Sequence, residues 1–234
     1  MGAKLMKKIY IIHGWTYTIE PWQKTVELLK YRGVEVVQLR VPGLTADSSD
    51  VWTIQGYVDW LDEQLRGEEQ PVVLGHSNGG RIALNYLVQH PGRFAQLILL
   101  NSAGVYAHPA NVSLKRRVFR VLSKTLAPLK HVPYVKRIVY RLLRSDYNAA
   151  PPHMKKTLHN MLESDKALQI EAVTTPTALL WGKNDTVTPP AMGRKMNELL
   201  PDSYLKEFDG WNHAPYIDHP EQLAEEIYLI MERA

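Results

Sequence analysis

Short apolar runs recur along this chain at Lys8 to Ile12, Val34 to Leu39, Pro71 to Leu74, Leu97 to Leu100, Thr177 to Trp181 and Tyr204 to Phe208. None alternates cleanly between apolar and polar positions, which predicts strands covered on both faces. Between these runs the apolar period becomes helical. Pro21 opens one helical segment that Gly33 closes, and Ile54, Tyr57, Val58, Leu61 and Leu65 form the stripe of a second. Arg81 to His90 carries a third, which Pro91-Gly92 stops, and Leu223, Ile227 and Ile230 mark the last. Strands alternating with helices predict a doubly wound α/β fold on a mostly parallel sheet of about six strands, whose ligands bind outside the carboxyl ends of the strands.

The alternation breaks in the middle of the chain. It divides the sequence into a first core part, residues 1–104, an insertion of short helical patterns, 105–174, and a second core part, 175–234. From Asn111 to Ser145 the insertion holds ten Lys or Arg and no Asp or Glu; elsewhere 18 basic residues face 24 acidic ones, although the whole chain is +4. Leu114, Val118, Val121 and Leu122, then Val135, Ile138, Val139, Leu142 and Leu143, recur at helical spacing with Pro128 and Pro133 between them, so this basic stretch is amphipathic. Three readings stay open for its charge: a solvated outer helix face, attraction of an anionic substrate such as a carboxylate or phosphate ester, or reversible peripheral contact with an anionic membrane surface, which suits a lipid-like acyl substrate. Nucleic acid is not an expected partner, because no reader motif or aromatic stacking platform accompanies the cations.

Candidate chemistry sits where strands end. Pro71 to Leu74 leads into Gly75-His76-Ser77-Asn78-Gly79, and a helical pattern leaves it. Glycines two before and two after a serine carry no side chains to collide when a strand turns abruptly into a helix, so the Ser77 hydroxyl can sit exposed on the turn. A serine needs a base to take its proton and a carboxylate to orient that base. A strand read over Val173 to Trp181 ends in Gly182-Lys183-Asn184-Asp185, and the run Tyr204 to Phe208 ends in Asp209-Gly210-Trp211-Asn212-His213. Asp185 and His213 therefore fall on loops at one sheet edge, with Asp209, Asp218 and His219 as rivals. Upstream, the first strand runs into His13-Gly14-Trp15. A glycine there leaves the backbone N–H of Trp15 free to join that of Asn78 in a two-donor oxyanion hole.

At these residues the chain resembles the α/β-hydrolase family, from His13-Gly14 through the Ser77 turn and Trp181-Gly182-x-x-Asp185 to Asn212-His213 and Pro220-Glu221. The order Ser77, Asp185, His213 is that of the family. The resemblance implies Ser77 as nucleophile, Asp185 as triad acid, His213 as general base, and Trp15 and Asn78 as backbone oxyanion donors. It also implies that the insertion is a helical cap roofing the site. Family members usually begin with one or two antiparallel strands; few residues precede the first strand here, so a truncated sheet is expected. The implied activity is hydrolysis of a carboxylic ester through an acyl-enzyme. Carbon–carbon bond hydrolysis on the same triad is the alternative, suggested by the capped architecture and by Arg81, although that side chain is expected to point away along its helix. A non-catalytic ligand receptor is a third reading.

His13, Gly14, Ser102 and Trp211 are candidate pocket residues, with structural roles weighed beside them: His13 fixing its loop, His76 packing beside the turn, Ser102 shaping a bend. No cofactor is expected, and no metal, because the nine histidines lack ligand spacing. With 45% hydrophobic content and no repeats, the 234 residues can bury a full core without staples. There is no cysteine, which excludes disulfides and suits a reducing, cytoplasmic setting. The amino-terminal apolar run is already the first strand and is not expected to be a removable signal; residue 6 is Met, which does not fit myristoylation; and no run is long enough to span a bilayer. The oligomeric state is left open.

Overall fold

A computed structural model describes residues 7–105 and 150–233; the basic stretch and most of the predicted insertion lie outside the described residues. Six strands, β1 (Lys7–Ile12), β2 (Val34–Leu39), β3 (Val72–His76), β4 (Gln96–Leu100), β5 (Thr177–Gly182) and β6 (Ser203–Phe208), form one sheet in the order β2-β1-β3-β4-β5-β6. Every pairing is parallel, where the sequence predicts a mostly parallel sheet. β5 begins at Thr177 rather than near Val173, because Ile170–Ala172 form a 3-10 turn and Pro176 lies just ahead of the strand.

The helices are α1 (Gln23–Tyr31), α2 (Ile54–Gln64), α3 (Asn78–Gln89), α4 (Pro152–Ser164), α5 (Pro190–Leu199), α6 (Pro215–Asp218) and α7 (Pro220–Arg233). Successive strand residues point to opposite faces, and this sorts the core into two layers. Tyr10, Ile12, Leu97, Leu99, Leu179 and Trp181 pack with α2, α3, α4 and α5 on one face. Ile9, Ile11, Ile98, Leu100, Ala178 and Leu180 pack with α1 and α7 on the other. Coverage of both faces is what makes the central strands read as continuous apolar runs. β6 departs from that expectation: as an edge strand it leaves Tyr204 and Lys206 exposed between half-buried neighbours.

From β1 the chain moves out to β2, then returns to the other side of β1 to form β3. The crevice outside the carboxyl ends of β1 and β3 is therefore the switch point of the sheet. The residues just past those strand ends are His13-Gly14-Trp15 and Ser77. Here α3 presses hard on β1: a Cβ on Gly79 would lie 2.0 Å from the Ile12 carbonyl oxygen. The end of the predicted insertion is fastened to the same body. Met154 and Met161 of α4 are fully buried, the Thr157 hydroxyl accepts from Trp52 N–H at 2.9 Å, and Asn160 Nδ2 donates to the Trp52 carbonyl at 2.9 Å.

Because backbone cannot yield as a side-chain tip can, Gly79→Ala is expected to cost about 1–3 kcal/mol or more. Gly67→Ala, at φ 83° with nothing near its absent Cβ, meets only the backbone cost of about 1–2 kcal/mol. Denaturant midpoints of the two variants check this ranking.

Candidate active site

Ser77 joins β3 to α3 at φ 51° and ψ −117°, a region that non-glycine residues rarely enter. The strained turn is held from both sides, with Ser77 N–H donating to the Leu100 carbonyl at 3.2 Å and the Ser77 carbonyl accepting from Ala103 N–H at 2.9 Å. Its hydroxyl lies 3.1 Å from His213 Nε2. The other ring nitrogen, Nδ1, lies 2.8 Å from Asp185 Oδ2. When Nδ1 donates to the carboxylate, Nε2 is left to accept the serine proton.

Asp185 is buried and tightly oriented. Oδ1 accepts from the N–H groups of Val187 and Thr188 at 2.7 and 2.9 Å, and Oδ2 lies 2.7 Å from the Thr188 hydroxyl. Asp209 instead pairs with Lys183 at the surface, and His219 lies near the Gly210 carbonyl. These rivals stand outside the Ser77, His213, Asp185 series. Sequence reasoning misses Thr188, although an Asp with a Thr three residues on is a recognisable local turn signature.

Two further histidines lie buried beside the series. His13 donates from Nδ1 to the Gly14 carbonyl at 2.7 Å, and its Nε2 lies 2.6 Å from the Thr45 hydroxyl. With the Nδ1 proton committed to the Gly14 carbonyl, the neutral ring accepts the Thr45 hydroxyl proton at Nε2, and Thr45 Oγ1 in turn accepts from Val41 N–H at 3.0 Å. His76 donates from Nε2 to the His213 carbonyl at 2.9 Å, with its Nδ1 unpartnered. A Cβ on Gly14 would meet that Nδ1 at 2.8 Å and Ser77 Cβ at 2.9 Å, so only glycine fits between them. Burial lowers the His13 pKa from its ordinary 6.5 and, reinforced by the nearby His213 ring, lowers that of His76 much further.

Trp15 is half-buried against the first core layer. Neither its backbone N–H nor that of Asn78, in the first turn of α3, has a protein acceptor among the described residues. Free N–H groups at the start of a helix of this length favour negative charge. Ser102 is fully buried, donates to the Ala103 carbonyl at 2.7 Å and fills the space against Gly80, which makes it a packing residue of the bend. Trp211 also packs: it is fully buried, stacked on Phe208 at 3.8 Å, with its N–H on Gln222 Oε1 at 2.7 Å.

Arg81 does not point away along its helix. It is buried, with Nε and one terminal nitrogen on the two oxygens of Asp165 at 2.6 and 2.8 Å and the other terminal nitrogen on Asn78 Oδ1 at 2.6 Å. Asp165 comes directly after α4, so this pair ties the Ser77 turn to the segment returning from the insertion. Among the described residues no cluster of His, Asp or Glu is placed to hold a metal ion, and no helix is long and apolar enough to cross a membrane.

A serine on a strained strand-to-helix turn, a histidine and an acid on two neighbouring strand ends, and the parallel sheet behind them define the class. Residues 9–226 match the alpha/beta hydrolase family, and the chain belongs to it. Particular relatives can be named. The chain is 26% identical to a pimeloyl-acyl-carrier-protein methyl ester esterase of Nitrosomonas europaea, over 92% of this chain and 91% of that protein. It is 27% identical to one of the same name from Neisseria meningitidis, over 94% of this chain and 91% of that protein. Among solved structures, an alpha/beta hydrolase enzyme from the metagenome of lagoon sediments of Mar Chica, Morocco, superposes with a TM-score of 0.68, covering 97% of this chain and 91% of that one at 24% identity. The fold is thus shared, and the protein is a hydrolase.

The buried histidines and the buried ion pair can each be tested through stability. The unfolded chain takes up protons at His13 and His76 near pH 6.5 while the folded chain resists them, so this contribution is full above that pH and declines as pH falls through it. The slope is up to about 1.4 kcal/mol per pH unit for each imidazole; urea melts across this range are expected to show it, and His76→Asn to flatten it. Asp165→Ala, which strands a buried guanidinium, is expected to cost about 3–5 kcal/mol, whereas Arg81→Met combined with Asp165→Leu recovers most of that loss in denaturant midpoints.

Proposed function

We propose that this protein is a serine esterase that cleaves carboxylic esters through an acyl-enzyme. The observation that carries the reading is the hydrogen-bonded series from Ser77 Oγ through the His213 ring to Asp185, at 3.1 and 2.8 Å. Ser77 Oγ attacks the acyl carbonyl carbon as its proton passes to His213 Nε2, and Asp185 stabilises the imidazolium. The oxyanion is received by the free N–H groups of Trp15 and Asn78, each such donor contributing about 3 kcal/mol to the barrier in comparable sites. Collapse expels the alcohol, which takes the proton from His213. Water, deprotonated in turn by His213, attacks the acyl-enzyme and releases the acid, and Ser77 recovers its proton.

Relatives named as methyl ester esterases favour an ester with a small alkoxy group and an extended acyl chain. The basic insertion suits an anionic or lipid-like acyl partner. Absence of cysteine favours a cytoplasmic setting. Carbon–carbon bond hydrolysis rests on Arg81 and on the capped architecture; of these, the Arg81 guanidinium is engaged by Asp165 and Asn78 and offers no free charge to a substrate. The ester reading is therefore preferred.

Release of p-nitrophenol from esters running from acetate to laurate, and of methanol from acyl methyl esters, tests it. Wild-type turnover is expected to fall by about a thousandfold or more in Ser77→Ala. Equal, negligible rates for both proteins on every ester would overturn the proposal.

A further inference from the structure

Among the deeply buried polar side chains that the catalytic steps do not use, Asn101 has the most partners around the base. Asn101, directly after β4, is completely buried and adopts φ 43°, a left-handed conformation that asparagine tolerates better than most residues. Its Nδ2 donates to the carbonyls of Asn212 and His213 at 2.8 and 3.1 Å. Its Oδ1 accepts from Gly182 N–H at 2.8 Å, where β5 gives way to the loop of Asp185. The backbone takes part as well: Asn101 N–H donates to the Leu180 carbonyl at 3.0 Å, and the Asn101 carbonyl lies 2.9 Å from the hydroxyl of Thr188, the residue that also holds Asp185.

One residue thus ties together the end of β5, the loop of the acid and the loop of the base. The His213 carbonyl has a second buried donor, His76 Nε2 at 2.9 Å, and His76 is the immediate neighbour of Ser77. The backbone of the base is therefore clamped between the residue next to the nucleophile and the residue that organises the acid's loop. The chemistry selects asparagine. Its position demands two N–H donors on one side, an acceptor on the other and a positive φ; a carboxylate has no donor, a glutamine is a methylene too long, and an aliphatic chain would orphan the buried Gly182 N–H.

We propose that Asn101 is a positioning residue that sets the His213 ring against Ser77 and Asp185, an inference that rests on the serine-esterase reading. It touches none of the reacting atoms and acts through the loops it joins. A shift of about 1 Å at the base is enough to cost on the order of a hundredfold in rate.

Asn101→Gly removes the carboxamide and relieves the positive φ, so it separates the side chain's contacts from backbone strain. With p-nitrophenyl butyrate, kcat is expected to fall about a hundredfold while KM stays within about threefold, since ground-state binding does not pass through Asn101. The low-field NMR resonance of the His213 Nδ1 proton, which needs no substrate, is expected to move upfield or broaden as the bond to Asp185 loosens. Should Asn101→Gly fail to fold, Asn101→Asp, of the same size and equally tolerant of positive φ, carries the same two readouts with the donors replaced by an acceptor. A folded variant with wild-type kcat and an unmoved resonance, whatever its melting temperature, reduces Asn101 to a structural residue and overturns the proposal. If wild type itself shows no Ser77-dependent ester turnover, the esterase reading fails instead, and the resonance in Asn101→Gly still decides whether the carboxamide positions the ring.

Discussion

Holding Ser77 at φ 51° is the constraint around which the rest of the structure is arranged. A non-glycine residue in this region costs on the order of 1–3 kcal/mol, and it persists only where its surroundings leave no alternative. Here the surroundings are the sheet itself. β3 delivers the residue between β1 and β4, the Leu100 carbonyl and Ala103 N–H grip it from the β4 side, and α3 is forced so close to β1 that Gly79 has no space for a Cβ. Gly14 likewise lies against the Ser77 side chain, where an added Cβ would meet Ser77 Cβ at 2.9 Å. Geometry that would relax in an isolated loop is thus maintained by core packing on both sheet faces.

A second theme is the amount of polarity the protein buries beside this turn. At the carboxyl end of a parallel sheet the ladder stops while the chain is still covered, and the groups left over need partners. His76 and Asn101 supply them to the His213 carbonyl, Asn101 to Gly182 N–H, and Thr188 to Asp185. His13 and His76 can serve as fixed donors because burial keeps them neutral; His213 is less enclosed, its side chain 22% exposed, and is the one in line with both Ser77 and Asp185. The buried Arg81 and Asp165 pair differs in kind, since it is an ion pair rather than a neutral hydrogen bond. It connects the Ser77 turn to the chain returning from the insertion.

Much of this is legible in the residue pattern. The central strands β1, β3, β4 and β5 announce themselves as short apolar runs because both their faces are covered, and the glycines around Ser77 stand out because a sharp strand-to-helix turn tolerates nothing larger. Asp185 and His213 can be placed because each comes after a strand that ends at the same sheet edge. The residues that escape have a common cause. Asn101 looks like any polar residue after a strand, since neither its positive φ nor its distant partners leave a local trace. Arg81 looks like a solvated helix residue because its partner, Asp165, lies 84 positions away. Trp211 and Ser102 sit where a pocket wall is expected, yet the packing of the sheet turns them into the core.

The sequence by itself determined the six strands, the two-sided burial of the central ones and the three residues able to form the series, because periodicity and glycine placement act over a few positions. Only the tertiary structure decided which buried groups hold that series in register. The parallel order β2-β1-β3-β4-β5-β6 brings the ends of β3, β4, β5 and β6 side by side, so residues far apart in the chain share hydrogen bonds that no local pattern can encode.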